Sequence, residues 1–151
     1  MPPEAAGAAA HFRALESLYR HAPVNGSFDS RLEIVEPGLA RISFEVEERL
    51  FHAAGAAHGT LYFKMMDDAA FYACNSLVTD RFLLTTAFNL NFTRPLRSGR
   101  AVAEGRWASG KRRVFVGEAR LFGSDGEEAA RGTGTFMRSR IPLSGLAGYG
   151  L

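Results

Sequence analysis

Residues 58–78, HGTLYFKMMDDAAFYACNSLV, decide the fold. Leu61, Tyr62, Phe63, Met65, Met66, Ala69 to Cys74, Leu77 and Val78 leave almost no polar face. The pattern predicts one long helix, and a helix that is apolar all round is a buried one. At roughly 20 residues it could cross a bilayer on length alone. Lys64, Asp67 and Asp68 in its middle argue against lipid. The segment is therefore read as a core helix wrapped by the rest of the chain. Two adjacent carboxylates on it are costly to bury and call for a reason. Neighbours on a helix point about 100° apart, so only one of the two can face a given site.

The flanks supply the wrapping. Upstream, Ala9 to His21 fits a short amphipathic helix with Phe12, Leu15, Leu18 and Tyr19 on one side, after a loose start over residues 1–8. Leu32 and Ile34, then Ala40, Ile42, Phe44 and Val46, alternate with polar residues as half-buried strands do, around a turn at Pro37-Gly38. Downstream, four more strands are expected. Their inner faces are Thr86, Phe88, Leu90 and Phe92; Ala101, Ala103, Gly105 and Trp107; Phe115, Gly117, Ala119 and Leu121; and Ala130, Gly132, Gly134 and Phe136. The small residues of the last face are expected to let the helix lie close against it. Four consecutive strands with short turns imply an antiparallel sheet. A sheet with one apolar face and one very apolar helix gives an α+β domain in which the sheet curls round the helix. Residues 1–151 form one domain with a core over about residues 30–140; the tail from Pro142 is unassigned.

Composition excludes several classes. A net charge of +2 is too small to imply nucleic acid. Residues 81–113 nevertheless hold eight Lys/Arg and one acid, which suits an anionic partner such as phosphates. Cys74 is alone, so no disulfide can form within the chain, as suits a reducing compartment. Its place on the apolar helix makes it an inert core thiol. The start MPPEAAGAAAHFR does not read as a secretory signal, and a cytoplasmic protein is expected. The four His and one Cys show no metal-ligand spacing, and no metal is expected. His11 and His21 are read as surface residues, Met65 and Met66 as core fillers, and Phe63, Phe71, Phe88 and Phe92 as core, with one or two of the four as candidates to line a channel.

The element order, with His58-Gly59 opening the long helix and Asp67 further along it, resembles the hotdog-fold acyl-CoA thioesterases, nearest the phenylacetate-pathway (PaaI) type and related to the 4-hydroxybenzoyl-CoA thioesterases. The matching residues are His52, His58-Gly59-Thr60 and Asp67-Asp68-Ala69-Ala70, then TTAFNLNFTRPLRSG from Thr85 to Gly99, and GTGTF from Gly132 to Phe136. Two positions depart from the family pattern. Thr60 stands where a second glycine is usual, and His52 stands where Asn or Gln is usual. The resemblance implies a curved sheet of about six strands round one central helix, with an added N-terminal helix. It also implies an acyl-CoA substrate, no separate cofactor, and a homodimer or dimer of dimers. It picks Asp67 over Asp68 as the reacting carboxylate, gives His58 and His52 site roles, and sets Thr85 beside the acid. Thr60 and Asn91 fall among its substrate-contacting positions.

The residues allow that chemistry. Thioester hydrolysis needs charge stabilised on the carbonyl oxygen and a group that activates water or attacks directly. The unpaired N–H groups and positive dipole end at the start of the long helix can do the first. Gly59 permits close approach of a carbonyl, and Asp67 is the candidate for the second task. Asp68 is then a structural acid bonded to backbone or to a basic side chain. Arg94, Arg97, Arg112 and Arg113, with Arg100 and Lys111, are candidates to meet the phosphates of CoA, and the phenylalanine-lined channel would take the acyl group. Gly59 and Asp67 lie eight residues apart, about 12 Å along one helix. A single carbonyl cannot touch both, whereas two antiparallel helices in a two-fold dimer could bring the pair together. A hydratase is disfavoured, because its usual His–acid motif is absent. A non-catalytic acyl-CoA binding or sensing module stands as the alternative to hydrolysis.

Overall fold

The computed structural model describes residues 3–150. Helix α1 spans Pro3–His21, so residues 3–8, expected to be loose, are helical. Ala5, Ala6 and Ala8 favour continuing the helix because alanine is the strongest helix former, and proline is tolerated in a first turn. The expectation for residues 1 and 2 lies outside the described residues. A 3-10 turn over Pro23–Ser27 leads to β1 (Ser30–Glu36) and β2 (Leu39–Val46), joined at Gly38 with φ of 81°. Helix α2 covers Gly59–Asn75, followed by β3 (Arg81–Phe92), β4 (Gly99–Ser109), β5 (Val114–Phe122) and β6 (Glu128–Pro142). The α+β hotdog arrangement expected from the sequence is borne out: one six-stranded antiparallel sheet curves round α2. The strand order is β1-β2-β4-β5-β6-β3, which leaves β3 at one edge, beside β6 and away from β4. No described helix is long and apolar enough to cross a membrane.

Helix α2 ends three residues before Val78, and Asn75 explains why. Its Nδ2 donates to the carbonyls of Val78 and Arg81 at 3.1 and 3.0 Å, and its Oδ1 accepts from the Leu83 N–H at 2.9 Å. This buried amide bonds the backbone of the turn in place of a further helical turn.

The close approach of helix to sheet falls on other strands than expected. A Cβ on Gly105 of β4 would lie 2.1 Å from the Ala69 carbonyl oxygen, and one on Gly117 of β5 would lie 3.0 Å from Cys74 Sγ. The glycines of β6 instead make room for the Phe88 ring, which a Cβ on Gly134 would meet at 2.6 Å. Met65, Met66 and Cys74 are fully buried under α2, and burial pushes the Cys74 thiol up to about 12.

Three further expectations are corrected. His11 is buried rather than on the surface. Its Nε2 bonds the Asn75 carbonyl at 2.9 Å and its Nδ1 the Tyr149 hydroxyl at 2.7 Å, which ties α1 and the C-terminal tail to the end of α2. Phe63 and Phe92 are 43% and 56% exposed although their rings stack edge-on against Phe88 and Tyr62, because β3 is an open edge with no further strand beside it. The inner face of β3 also excludes Thr86, for a reason that belongs to the site.

Replacing Gly105 by alanine would force the Ala69 carbonyl away from β4. The expected cost is about 3 kcal/mol, at the upper end of core overpacking. Urea denaturation at fixed protein concentration reads it. A change under about 0.5 kcal/mol would mean that the helix is free to shift.

Candidate active site

Asp67 leaves α2 on the flank facing β3, and the Thr85 hydroxyl donates to its Oδ1 at 2.9 Å. Strict alternation would have turned Thr85 outward with Asn89 and Asn91. The register slips between Thr85 and Ala87, where Thr85 pairs with Phe136 and Ala87 with the next residue back, Thr135. One extra residue in a strand shifts every later side chain to the other face. Leu83 and Thr85 therefore point toward α2 before the bulge, and Phe88 and Leu90 after it.

Asp68 leaves the other flank. Its Oδ2 pairs with Lys64 Nζ at 2.6 Å, one helical turn back. Lys64 also donates to Asn25 Oδ1 and lies 4.8 Å from the centre of the Tyr19 ring. Asp68 thus takes the structural position, held by a basic side chain, that it was expected to have. From the sequence Lys64 reads only as a charge arguing against lipid and not as the partner of Asp68, although its i, i+4 spacing to Asp68 is a recognisable signal.

Burial is the main cause that pushes the Asp67 carboxyl up to about 6. The Thr85 hydrogen bond opposes the shift, the Asp68 charge adds to it, and Lys64 again opposes it. Such a group changes charge near neutrality, as a general base requires.

The start of α2 forms a second locus. His58 caps the helix: its Nδ1 accepts from the Thr60 N–H at 3.1 Å and lies 3.0 Å from Thr60 Oγ1. Thr60 is thereby tied to His58, and the Gly59 N–H is the tip donor without a protein acceptor among the described residues. His52 accepts the Ala54 N–H on Nδ1 at 3.0 Å, which places the ring proton on Nε2. Gly59, His52 and Arg94 share a cavity of about 480 Å³. A Cβ on Gly59 would come within 3.3 Å of the Phe92 ring that also lines it. Tyr62, not singled out from the sequence, donates its hydroxyl proton to the Arg94 carbonyl at 2.6 Å and accepts the Leu96 N–H at 2.7 Å. It pins the segment after β3 to the helix.

Asp67 and Thr85 line a different cavity, of about 270 Å³, with no residue in common with the first, and Asp68 borders it as well, so both carboxylates reach one cavity where only one was expected to face a given site. Asn91 belongs to neither; it lines a polar hollow on the sheet's outer face with Arg120 and Arg131. The basic run of residues 81–113 is not one patch. Arg100 pairs with Asp29 at 3.1 Å and Arg106 with Glu104 at 3.3 Å. Arg94 and Arg97 follow the end of β3 near Gly59. Arg112 and Arg113 precede Val114, which aligns through Met137 with Leu84 at the start of β3. The two pairs therefore sit at opposite ends of the sheet. Among the described residues no group of three or more His, Cys, Asp or Glu is placed to hold a metal.

A hotdog domain with a hydroxyl-bonded carboxylate on its central helix is the class these features define. The sequence profile of the Thioesterase superfamily matches residues 54–130, and the chain belongs to that superfamily. The PaaI protein of the phenylacetic acid degradation operon of E. coli has a similar fold, with a TM-score of 0.81 at 18% identity over 89% of this chain and 97% of that one. A thioesterase family protein from Silicibacter pomeroyi matches with a TM-score of 0.79 at 24% identity, over 85% and 97% of the two chains. A protein of Saccharolobus solfataricus, described provisionally as an esterase, is 28% identical over 105 residues, 70% of each chain. Membership of the superfamily supports thioester hydrolysis as the reaction class.

The elevated Asp67 carboxyl makes stability depend on pH. Between about pH 4 and pH 6 the native state holds a proton that the unfolded chain releases, so stability falls as pH rises through that window. Asp67→Asn removes this loss, and its melting temperature should gain on that of wild type from pH 4 to pH 7. In Thr85→Val the carboxyl resonance followed by NMR should titrate higher than in wild type. An unmoved midpoint would mean that the hydroxyl does not bond the ionised acid.

Proposed function

We propose that the chain hydrolyses an acyl-CoA thioester to the free acid and CoA, as a homodimer with two equal sites. The observation that carries this reading is the separation of Asp67 with Thr85 in one cavity from the free Gly59 N–H in another. Each cavity holds half of what the reaction needs, about 12 Å apart on one helix. A two-fold axis beside β3 would set Asp67 of one protomer against Gly59 of the partner subunit. The long edge strand and the exposed Phe63, Leu84 and Phe92 along it support such an interface.

In this site the thioester carbonyl points at the Gly59 N–H. Asp67 takes a proton from water as the water oxygen attacks the carbonyl carbon, or its carboxylate attacks directly and the mixed anhydride left after thiolate departure is hydrolysed by water to the free acid and the restored carboxylate. Negative charge builds on the carbonyl oxygen and is met by the helix tip. The C–S bond then breaks and the CoA thiolate leaves to be protonated. Thr85 holds Asp67 on Oδ1, which leaves Oδ2 for the reaction. His52, whose Nδ1 accepts the Ala54 N–H, would donate through Nε2–H to the carbonyl or to water. Arg94 and Arg97 lie on the Gly59 side, where the CoA phosphates would enter. The same two-fold operation turns the partner's Arg112 and Arg113 toward that side.

The test is complementation. Asp67→Asn removes the base, worth about 10² to 10⁴ in rate. Gly59→Pro removes the N–H, worth about 10² to 10³. Proline suits the first helical position, and His58 already has the extended backbone, φ −65° and ψ 146°, that precedes proline comfortably. Each variant alone should be nearly inactive. Co-assembled at random, half of the dimers would carry one intact site, which restores about a quarter of wild-type thiol release. Recovery no greater than the sum of the parents would place both groups in one protomer. Tight acyl-CoA binding with no thiol release by wild type would establish a sensing module instead.

A further inference from the structure

The cavity beside Asp67 has one wall that its catalytic residues do not supply. Ala22, Val24 and Asn25, in and just before the 3-10 turn after α1, close one side, Phe71, Phe82 and Leu84 provide apolar surface elsewhere, and Asp68 and Tyr72 also border the cavity. The turn is clasped to α2. Asn25 Nδ2 donates to the Tyr19 carbonyl at 2.7 Å, while Asn25 Oδ1 accepts from Lys64, the lysine paired with Asp68 at 2.6 Å. The polar groups of this clasp satisfy one another, so the wall offers the cavity mainly Ala22 and Val24. Val24 is 55% exposed and outside the apolar core, yet it borders the cavity.

We propose that this turn is the end wall of the acyl-binding cavity and that Val24 is the residue setting the longest acyl group accepted. The inference rests on the hydrolase reading for the identity of the ligand. A volume of about 270 Å³, at somewhat under the ~30 Å³ that one water molecule occupies per heavy atom, holds an apolar acyl group of roughly nine or ten heavy atoms. Longer chains must displace Val24 or run out into solvent. The clasp explains why the limit is sharp. Moving the wall means breaking the Lys64–Asn25 bond beside a half-buried ion pair, which leaves polar groups unpaired.

The experiment measures binding of a homologous series of S-alkyl-CoA thioethers, from ethyl to hexadecyl, which cannot be hydrolysed. Wild type should gain about fourfold in affinity per buried methylene and then level off near octyl. Val24→Trp should bring the plateau to shorter chains and Val24→Ala to longer ones. Asn25→Ala, which undoes the clasp, should let affinity climb past the wild-type plateau. Val24 lies on the surface, so circular dichroism should show the variants folded. A plateau that stays in place in both Val24 variants overturns the wall assignment. Thiol release from the matching thioesters is followed in parallel. A plateau that moves without any hydrolysis keeps the wall and sinks the hydrolase reading. Hydrolysis with an unmoved plateau does the reverse.

Discussion

The backbone of α2 rests directly on β4. Gly105 has no Cβ to hold off the Ala69 carbonyl, and Gly117 makes a second, looser approach of β5 beneath Cys74. This contact fixes the rotation of the helix about its axis. With Ala69 and Ala70 facing the sheet, the next residues back, Asp67 and Asp68, diverge by about 100° and leave on different sides. One meets the edge strand and the other meets the clasp at the N-terminal turn. A small rotation would exchange or spoil both environments, because packed interiors tolerate little sliding.

That division separates two electrostatic tasks. Burial pushes the Asp68 carboxyl up as well, but a lysine in contact opposes the rise, with an asparagine behind it and two aromatic rings near the ammonium. Burying either charge alone would be far costlier than burying the pair. Asp67 has no such cation in contact. Burial holds its carboxyl high, and one hydroxyl limits the rise. The structure thus spends its ion pair on the acid that holds the fold together and leaves the other poised to change charge near neutrality.

The layout of the fold was legible because burial writes a period into the chain. The all-apolar run announced the central helix, and period-two runs announced the strands that curl round it. Strand order was not legible, since nothing local says that β3 pairs with β6 across the whole downstream sheet. The bulge was equally silent. Alternation alone turns Thr85 outward, and only a one-residue slip brings its hydroxyl onto Asp67. His11 reads as an ordinary surface position until the distant Tyr149 and Asn75 are seen to enclose it. The basic run looked like one patch because residues close in sequence lie at opposite ends of long strands. Phe63 and Phe92 misled for another reason: composition marks a residue as apolar but not whether its cover comes from its own chain.

That last ambiguity bears on the whole site. A twelve-residue strand left at a sheet edge, with large apolar side chains exposed beside it, is a liability for a chain that stays alone. The same edge borders both cavities, through Leu84 and Thr85 at one end and Phe92 at the other. A second copy laid antiparallel along β3 would cover the apolar side chains and set the start of each strand beside the end of its twin. The unpaired N–H at one helix tip and the elevated carboxyl of the other helix would then face one another. The need to cover exposed surface and the need to join two half-sites point to one axis, so association and chemistry would depend on the same strand.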